Sequence, residues 1–253
     1  MGNGAPGEGP GERWPRLGSD EAGKGDYFGP LVVAAVAVAG PPEAEALRSA
    51  GVTDSKRLGD ARCRELSVWI KKSFPHEVVE ISPRRYNELY DQMGNLNRIL
   101  AWAHARAVEN LLGSIEREWA GLSPEIVVVV DQFAPVAVLE RALFARARQV
   151  RVIQHPRAEA APEVAAASVL ARARFLESLA RLGEKWGIKF PKGAAHVLPV
   201  ARELYAREGE EALRETAKWH FRTTEQLLVE VGQRPCRTAG SSGNSSKRGK
   251  PAG

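Results

Sequence analysis

Apolar residues fall into short runs along the chain, separated by turns rich in glycine, proline and charged residues. The runs at 16–20 and 31–39 flank a glycine-rich turn, which predicts two strands joined by a tight loop. The unbroken β-branched run at 126–130 is typical of a strand buried on both faces. Residues 77–81 alternate apolar and charged positions, and residues 150–154 predict another short strand. These segments together predict a sheet.

Helical spacing of apolar residues dominates between and after these strands. A helix from Asn95 to about Trp119 repeats apolar residues every three or four positions, and we expect it to be central. An alanine-rich helix is predicted from Ala161 to Lys185, where small side chains permit close packing. Further helices are predicted at about 60–73, from Ser82 and Pro83 onward, at about 197–207 and at about 211–231. The order of elements predicts an α/β fold, with a mixed central sheet flanked by helices and a helical C-terminal part.

The two ends of the chain differ in composition from its middle. Residues 1–15 are mostly glycine, proline and glutamate, and residues 233–253 are rich in glycine, serine and basic residues. Neither end has enough apolar residues to offset the entropy lost on ordering, so both are predicted to be disordered. Residues 16–232 of the 253-residue chain are expected to form one domain.

Charge and cysteine content narrow the function classes only slightly. Lys and Arg number 36 against 31 Asp and Glu, a net charge of +5. This excess suits a polyanionic partner, but ordinary surface charge explains it equally well. Cys63 and Cys236 are too few for a metal knuckle or a disulfide framework. No apolar stretch approaches the ~20 residues of a membrane span and no signal peptide is evident, so we expect a cytoplasmic protein without a membrane partner.

Asp20 and Glu21 stand where an apolar strand gives way to a Gly-x-Gly turn at residues 23–25. Adjacent strand residues face opposite ways, so both carboxylates can reach one ion only if the strand end twists or Glu21 belongs to the turn. The glycines let backbone N–H groups approach a phosphate or sugar oxygen closely. Taken alone, such a pattern is more often a polar turn with incidental acids.

Two other acids and one lysine are weaker candidates. Asp131 ends the buried run, where an acid is costly unless it is paired or metal-bound; it could equally cap a helix. Glu159 precedes the alanine-rich helix, a place where a Glu commonly serves the helix dipole. Ser55 and Lys56 suit contact with phosphate, although a helix cap followed by a solvated lysine is the plainer interpretation.

These carboxylates would lie at strand ends and at a helix start of one sheet, where they could hold two Mg²⁺ or Mn²⁺ ions. Hard divalent cations prefer oxygen ligands, and a pair of them supports phosphodiester cleavage. His155, His196 and His220 lack zinc-binding spacing, and no Ser-His-Asp order stands out. The sequence therefore favours an oxygen-ligand metal site.

The segment at 18–30, Gly-Ser-Asp-Glu-Ala-Gly-Lys-Gly-Asp-Tyr-Phe-Gly-Pro, resembles the signature of the ribonuclease HII and HIII family, and its second half is closer to ribonuclease HIII. The resemblance continues in order through Thr53-Asp54-Ser55-Lys56, Val130-Asp131-Gln132-Phe133, Arg157-Ala158-Glu159 leading into Val164-Ala165-Ala166-Ala167-Ser168, Pro191-Lys192-Gly193-Ala194 and Lys218-Trp219-His220-Phe221. It covers roughly residues 16–228. Six ordered matches are a strong signal, whereas any one would be weak.

This resemblance implies a ribonuclease H-like fold and a metal-dependent endonuclease that cuts the RNA strand of RNA–DNA hybrids. It implies that four carboxylates are the catalytic metal ligands: Asp20, Glu21, Asp131 and Glu159. It implies that the substrate is bound by Gly23, Lys24 and Gly25 at a ribose 2′-hydroxyl, and by Ser55 and Lys56 at a backbone phosphate. Reading a 2′-hydroxyl distinguishes RNA from DNA without reading base sequence.

Two features depart from the family pattern. Ribonuclease HIII proteins usually carry an N-terminal substrate-binding domain, which we expect to be absent because only about 15 residues precede the first motif. Around Glu159, Arg157 replaces the usual lysine, and Ala160-Ala161-Pro162 follows instead of a serine–lysine pair. Glu159 is therefore the ligand that the resemblance supports least.

Three alternatives stay open. A ribonuclease HII-like enzyme would cut at single ribonucleotides embedded in DNA by using a C-terminal tyrosine, for which Tyr205 is the only candidate. A receiver-type signalling domain would use a similar acidic pair, a strand-end Asp and a lysine. A binding module that no longer cuts is the third. For the ribonuclease itself we expect no obligate protein partner and a monomer.

Overall fold

The sheet predicted from the sequence is present in the computed structural model, which describes residues 13–116, 119, 126–156 and 158–233. Its strands are β1 (Arg16–Ala22), β2 (Leu31–Val38), β3 (His76–Ile81), β4 (Val127–Asp131) and β5 (Arg151–His155). They form one sheet in the order β3-β2-β1-β4-β5. The first three strands in the chain pair antiparallel, whereas β1, β4 and β5 run parallel. The predicted mixed sheet is confirmed.

Helices cover both faces of this sheet. Those in the described residues are α1 (Pro41–Ser49), α2 (Asp60–Ser73), α3 (Pro83–Met93), α4 (Leu96–Ile115), α5 (Val136–Ala142), α6 (Pro162–Trp186), α7 (Leu198–Thr216) and α8 (Arg222–Glu230). Two starts are capped as their sequences predict: Ser82 accepts from the N–H of Arg85, and Asn95 accepts from that of Asn97.

Alternation along β1 assigns its side chains to two different helices. Leu17 belongs to the core that α4 covers. Arg16 points the other way and pairs with Glu163 of α6 at 2.8 Å. Gly18 also faces α6, where a Cβ atom would lie 2.2 Å from the carbonyl carbon of Glu163. A glycine is needed there because the alanine-rich α6 packs directly against the strand.

The structure corrects one predicted helix. Residues 211–231 are not continuous: α7 runs through Gly209, with φ of 81°, and ends at Thr216, and α8 begins only at Arg222. Between them Ala217 forms an isolated antiparallel bridge with Phe28. This backbone segment bonds to the glycine-rich loop, a contact that helical periodicity cannot reveal.

Helices α1 and α5 were not predicted because each buries so few residues that no apolar period is visible. In α1 these are Ala44 and Leu47, and in α5 it is Leu139. The predicted disorder of the ends falls largely on residues 1–12 and 234–253, which lie outside the described residues. Trp14, inside the predicted N-terminal segment, packs partly against the core. No helix within the described ranges has the length and apolarity needed to cross a membrane.

Candidate functional site

A cleft of about 600 Å³ opens at the edge of the sheet where the parallel strands β1 and β4 both end. Parallel strands bring their carboxyl ends to the same edge, which is where open α/β sheets bind ligands. The cleft is lined by residues 20–26, Ser55, Lys56, Asp131, Arg172, Lys192 and Gly193. Most of the residues that the sequence predicted for the site are therefore brought together.

Asp20 and Glu21 both lie within β1, opposite Ala34 and Val33 of β2. Glu21 is thus a strand residue and not part of the turn. Ser19 and Glu21 contact His104 of α4, whereas Asp20 lies on the α6 side of the strand near Ser168. The two carboxylates therefore lie on opposite faces of the sheet, and both line the cleft at its edge.

Cationic and polar partners hold the carboxylate of Glu21 on both sides. Its Oε1 accepts a hydrogen bond from the ammonium of Lys24 at 2.7 Å, and its Oε2 lies 3.2 Å from His104 Nε2. The fully buried His104 ring is fixed in turn by Ser19 Oγ at 2.8 Å and by stacking on Phe133. Burial alone would raise the pKa of Glu21, but His104 and Lys24 outweigh it and lower that pKa to about 2.

Asp20 has the opposite electrostatic character. Burial, together with the charges of Glu21 and Asp131, raises its pKa to about 8. The N–H of Glu21, 2.7 Å from Asp20 Oδ1, and the Ser168 hydroxyl oppose the shift without cancelling it. A buried carboxylate that resists ionisation beside two others is the arrangement that a bound divalent cation would relieve.

Asp131 is the last residue of β4, and its pKa is also raised, first by burial and then by the charges of Glu159 and Glu21. The N–H of Ala158 donates to its Oδ1 at 3.0 Å. Glu159 itself lies half-buried in a single 3-10 turn and does not line the cleft. The structure thus places three of the four predicted carboxylates in the cleft and the fourth at its margin.

The donor chemistry of these side chains fits Mg²⁺ or Mn²⁺, since both prefer carboxylate oxygens. In the arrangement of the structure, however, the described residues include no group of three or more His, Cys, Asp or Glu side chains close enough to hold one ion. A cation held by three of these carboxylates would require them to lie closer together than they do here.

The glycine-rich loop forms the wall of the cleft next to Glu21. Gly23 has φ of 87°, and a Cβ atom there would lie 2.2 Å from the carbonyl oxygen of Pro30, so only glycine fits. Gly25 has open space around it, with no atom within 4 Å of a Cβ position. The loop can therefore bring backbone N–H groups close to a ligand in the cleft.

The Ser55-Lys56 pair lies across the cleft from this loop. Lys56 is exposed, but Ser55 is buried, and its hydroxyl accepts a 2.7 Å hydrogen bond from Ser168. Asp54 caps the 3-10 turn by accepting from the N–H of Lys56 at 3.0 Å. The capping interpretation of this motif is thus correct for Asp54, while Lys56 keeps a free approach to the cleft.

Sequence reasoning assigned no role to three residues of the site. His104 sits in the alanine-rich part of α4, where nothing marks it as a partner of a residue 83 positions away. Arg172 and Lys192 line the cleft, and both bind Asp60, at 3.1 and 2.6 Å. Lys192 belongs to a recognised motif, but Arg172 stands on α6 without any distinguishing signal.

Comparison with known proteins identifies the family and the fold of the chain. The family model described as Ribonuclease HII matches residues 17–224. Ribonuclease HIII of Protochlamydia amoebophila (strain UWE25) is 40% identical over 220 residues, which are 87% of this chain and 70% of that relative.

Two solved structures extend the comparison. Bst-RNase HIII in complex with Mn²⁺ has 32% identity and a TM-score of 0.76, covering 85% of this chain and 70% of that one. RNase HII from Archaeoglobus fulgidus, solved with PCNA, has 32% identity and a TM-score of 0.65, covering 84% and 96%. The chain therefore belongs to the ribonuclease HII and HIII family and is a ribonuclease H.

Proposed function

We propose that this enzyme hydrolyses the RNA strand of RNA–DNA hybrids within runs of ribonucleotides. The observation that carries the proposal is one cleft in which Asp20, Glu21 and Asp131 face a glycine-rich loop able to approach a sugar closely. The ribonuclease HIII relatives support the choice of substrate.

Asp20, Glu21, Asp131 and Glu159 are the residues proposed to hold two Mg²⁺ or Mn²⁺ ions, and the Mn²⁺ complex of Bst-RNase HIII supports a divalent metal. Such ions, when bound, supply a water of lowered pKa and neutralise charge that develops on the leaving oxygen. Glu21, ionised and fixed by Lys24 and His104, is in place before a cation arrives. Asp20 has a raised pKa, and a bound cation would favour its ionised form.

The remaining residues of the cleft are proposed to bind and orient the substrate. The backbone of Gly23, Lys24 and Gly25 would read a ribose 2′-hydroxyl, and Lys56 would contact a backbone phosphate, with Ser55 beneath it. A 2′-hydroxyl engaged by the loop is not the nucleophile. The products should therefore carry 5′-phosphate and 3′-hydroxyl ends, without 2′,3′-cyclic phosphate.

Structural observations do not favour the alternatives. Tyr205, the only candidate for a tyrosine of the ribonuclease HII type, stands on α7 and packs partly against the core rather than lining the cleft. The receiver-domain interpretation is wrong, because the chain belongs to another family. The proposed carboxylates are all present, which argues against a module that no longer cuts.

The test is to digest an all-RNA/DNA hybrid and a duplex with one embedded ribonucleotide side by side, with Mg²⁺ and then Mn²⁺, and to map the product ends. We expect several cuts along the hybrid. Cutting only at the single ribonucleotide would replace this proposal with the ribonuclease HII-like one. Cyclic phosphate ends would exclude attack by water.

The proposal extends to the setting of the enzyme. We propose a monomer that works in the cytoplasm, with residues 16–232 as the folding unit, to which Trp14 and Pro15 add contacts. The segments at 1–12 and 234–253 are proposed to be dispensable for folding. The free thiol of Cys63 is buried, which is compatible with a reducing compartment, while Cys236 lies outside the described residues.

A further inference from the structure

Lys218 is completely buried although its side chain ends in an ammonium group. It belongs to the Lys218-Trp219-His220-Phe221 motif, for which neither the fold nor the proposed chemistry gives a reason. Burying an ammonium group costs several kcal/mol unless it is well compensated. The described residues offer it no salt bridge, and burial lowers its pKa to about 7, with the charge of Asp26 opposing that shift. Something other than charge pairing must account for a lysine here.

The ammonium group instead joins two backbone carbonyls of the glycine-rich loop. Its Nζ donates to the carbonyl oxygen of Asp26 at 2.8 Å and to that of Gly29 at 2.7 Å, and the ring of Tyr86 lies 5.7 Å away. A neutral amine still carries two N–H groups, so both hydrogen bonds can persist on either side of the pKa. One side chain therefore ties together both ends of the segment 26–29.

Backbone contacts anchor the same segment to the residues around Lys218. The N–H of Lys218 donates to the carbonyl of Tyr27, and the N–H of Gly29 donates to that of Thr216, each at 2.9 Å. The lysine is held in place by Asn87, whose Oδ1 accepts from the N–H of the following residue at 2.8 Å. This is why the helix predicted across 211–231 is interrupted.

The other half of the loop is not tied down in this way. Gly25 has open space around it, and the N–H of Asp26 bonds back to the carbonyl of Gly23 at 3.3 Å. The backbone positions of residues 23–25, which line the cleft, therefore depend on the fixed segment 26–29 next to them. Any loosening of the carbonyls at 26 and 29 is transmitted to those residues.

We propose that Lys218 is a positioning residue, which fixes the glycine-rich loop so that the backbone of Gly23–Gly25 meets the ribose 2′-hydroxyl. The role in choosing ribose rests on the proposed function; the role in ordering the loop does not. Lys218 is completely buried and its ammonium group bonds to carbonyls of the loop, so it acts only through the loop.

The test is Lys218→Met, which keeps an unbranched side chain, one atom shorter than lysine, and removes its donors. We expect kcat on the hybrid to fall at least about tenfold with KM changed less than about threefold, since many other contacts bind the duplex. A second substrate has a single 2′-deoxynucleotide at the mapped cut position. The penalty that this deoxynucleotide imposes on wild type should shrink at least about tenfold in Lys218→Met, because the variant has already lost the 2′-hydroxyl contact.

Leu111→Ala is the matched control, because it opens a cavity in the α4 core and lowers stability without touching the loop. It should keep the full deoxynucleotide penalty. An equal penalty in Lys218→Met and wild type would overturn the proposal. If Lys218→Met does not fold, Lys218→Leu, which also lacks donors, replaces it in the same measurement.

Hydrogen exchange of the peptide at residues 20–30 separates this proposal from the proposed function. Faster exchange of these amides in the variant, and not in Leu111→Ala, is expected whether or not wild type cuts a hybrid. Unchanged exchange would show that Lys218 does not order the loop. Faster exchange in a wild-type enzyme that cuts no hybrid would leave the loop-ordering role intact and reject only its use in choosing ribose.

Discussion

The carboxylates on the two sides of the cleft differ in how many hydrogen bonds and strand contacts hold them in place. On the β1 side, Asp20 and Glu21 lie within a strand and both pair with β2. Lys24 and His104 fix the Glu21 carboxylate there. On the β4 side, Asp131 is a terminal strand residue that accepts one hydrogen bond within the described part of the chain.

This difference separates a fixed half of the site, around Glu21, from an adjustable half, which contains Asp131 and Glu159. The fixed half keeps one carboxylate ionised by means of neighbouring cationic and polar groups, which lower the pKa of Glu21 to about 2. In the adjustable half, burial and neighbouring charges raise the pKa of Asp131, and a bound cation would offset this. Asp20, with a pKa of about 8, links the halves because both Glu21 and Asp131 act on it. An ionised and oriented carboxylate such as Glu21 could define the position of a metal ion, and the other carboxylates could then coordinate that ion.

The largest effect is expected from Asp20→Asn and from Asp131→Asn, each of which should lower cutting to the background of the assay. Without metal, neither variant should lose stability, because each removes a carboxylate that the fold disfavours in its charged form. For Asp20 the folded pKa is raised, so wild type loses stability as the pH rises from about 4 to about 8. The advantage of Asp20→Asn should therefore grow over that window and level off above it.

These two variants are checked by hybrid digestion with metal and by urea unfolding in chelator at pH 5 and pH 8. The control is Glu80→Gln, a substitution on β3 outside the cleft, where the carboxylate pairs with Arg174. It should cut normally. An active Asp131→Asn enzyme would remove Asp131 from the site and with it the adjustable half.

His104→Gln tests the fixed half. Without the ring, Glu21 Oε2 loses its partner, the pKa of Glu21 should rise toward the ordinary range, and the carboxylate gains rotational freedom. We expect metal affinity to fall by about 10–100-fold, as is usual when a group that orients a ligand is removed. Titration of cutting against Mn²⁺, with calorimetry of metal binding, measures the loss. His76→Gln, a change at the start of β3, is the matched control, and equal metal dependence of the two variants would mean that Glu21 needs no orientation.

Glu159→Gln tests the adjustable half and should be milder than Asp131→Asn. Glu159 lies at the margin of the cleft, and the described residues give it no hydrogen bond, so its loss should weaken metal binding by about tenfold. Higher Mn²⁺ should then restore cutting. A Glu159→Gln enzyme that stays inactive at any metal concentration would place Glu159 on a par with Asp131, and the β4 side would be less adjustable than its contacts indicate.

Sequence predicted the parts of the molecule whose signal is local. The β-branched run gave β4 within one residue, and the alanine-rich segment gave α6 within one residue at each end, because one strong period extends over each element. The ordered motifs likewise brought Asp20, Glu21 and Asp131 forward as a set, and the structure places them in one cleft.

The parts that escaped prediction depend on contacts between residues distant in the sequence. His104 acquires a role only by facing a carboxylate 83 positions earlier, and Lys218 only by reaching carbonyls 192 and 189 positions earlier. A lysine between two helical segments is ordinarily a surface residue, so nothing local indicates that this one is buried. Adjacent acids in one strand are also ambiguous until the sheet shows which helix covers each face.

The smallest effect is expected at the basic wall of the cleft, formed by Arg172 and Lys192, where Asp60 forms a salt bridge with each of these two side chains. Lys192 lies 2.6 Å and Arg172 3.1 Å from its carboxylate, and both hydrogen bonds lower the pKa of Asp60, so it is ionised at neutral pH. As a hypothesis, Asp60 competes with a backbone phosphate for these two side chains. Asp60→Asn should then tighten binding of the hybrid a few fold at low salt and steepen the salt dependence by about one unit of slope, the value for one more phosphate contact. Binding is measured in an Asp131→Asn background that does not cut. The salt concentration is varied between about 50 and 200 mM, where the logarithm of the binding constant falls about linearly with the logarithm of the salt concentration. Glu65→Gln is the control, since this exposed acid on the same helix pairs with Arg62 away from the cleft. If both variants give the same salt dependence of hybrid binding, Asp60 only holds Lys192 and Arg172 in position, and these two side chains do not contact a backbone phosphate.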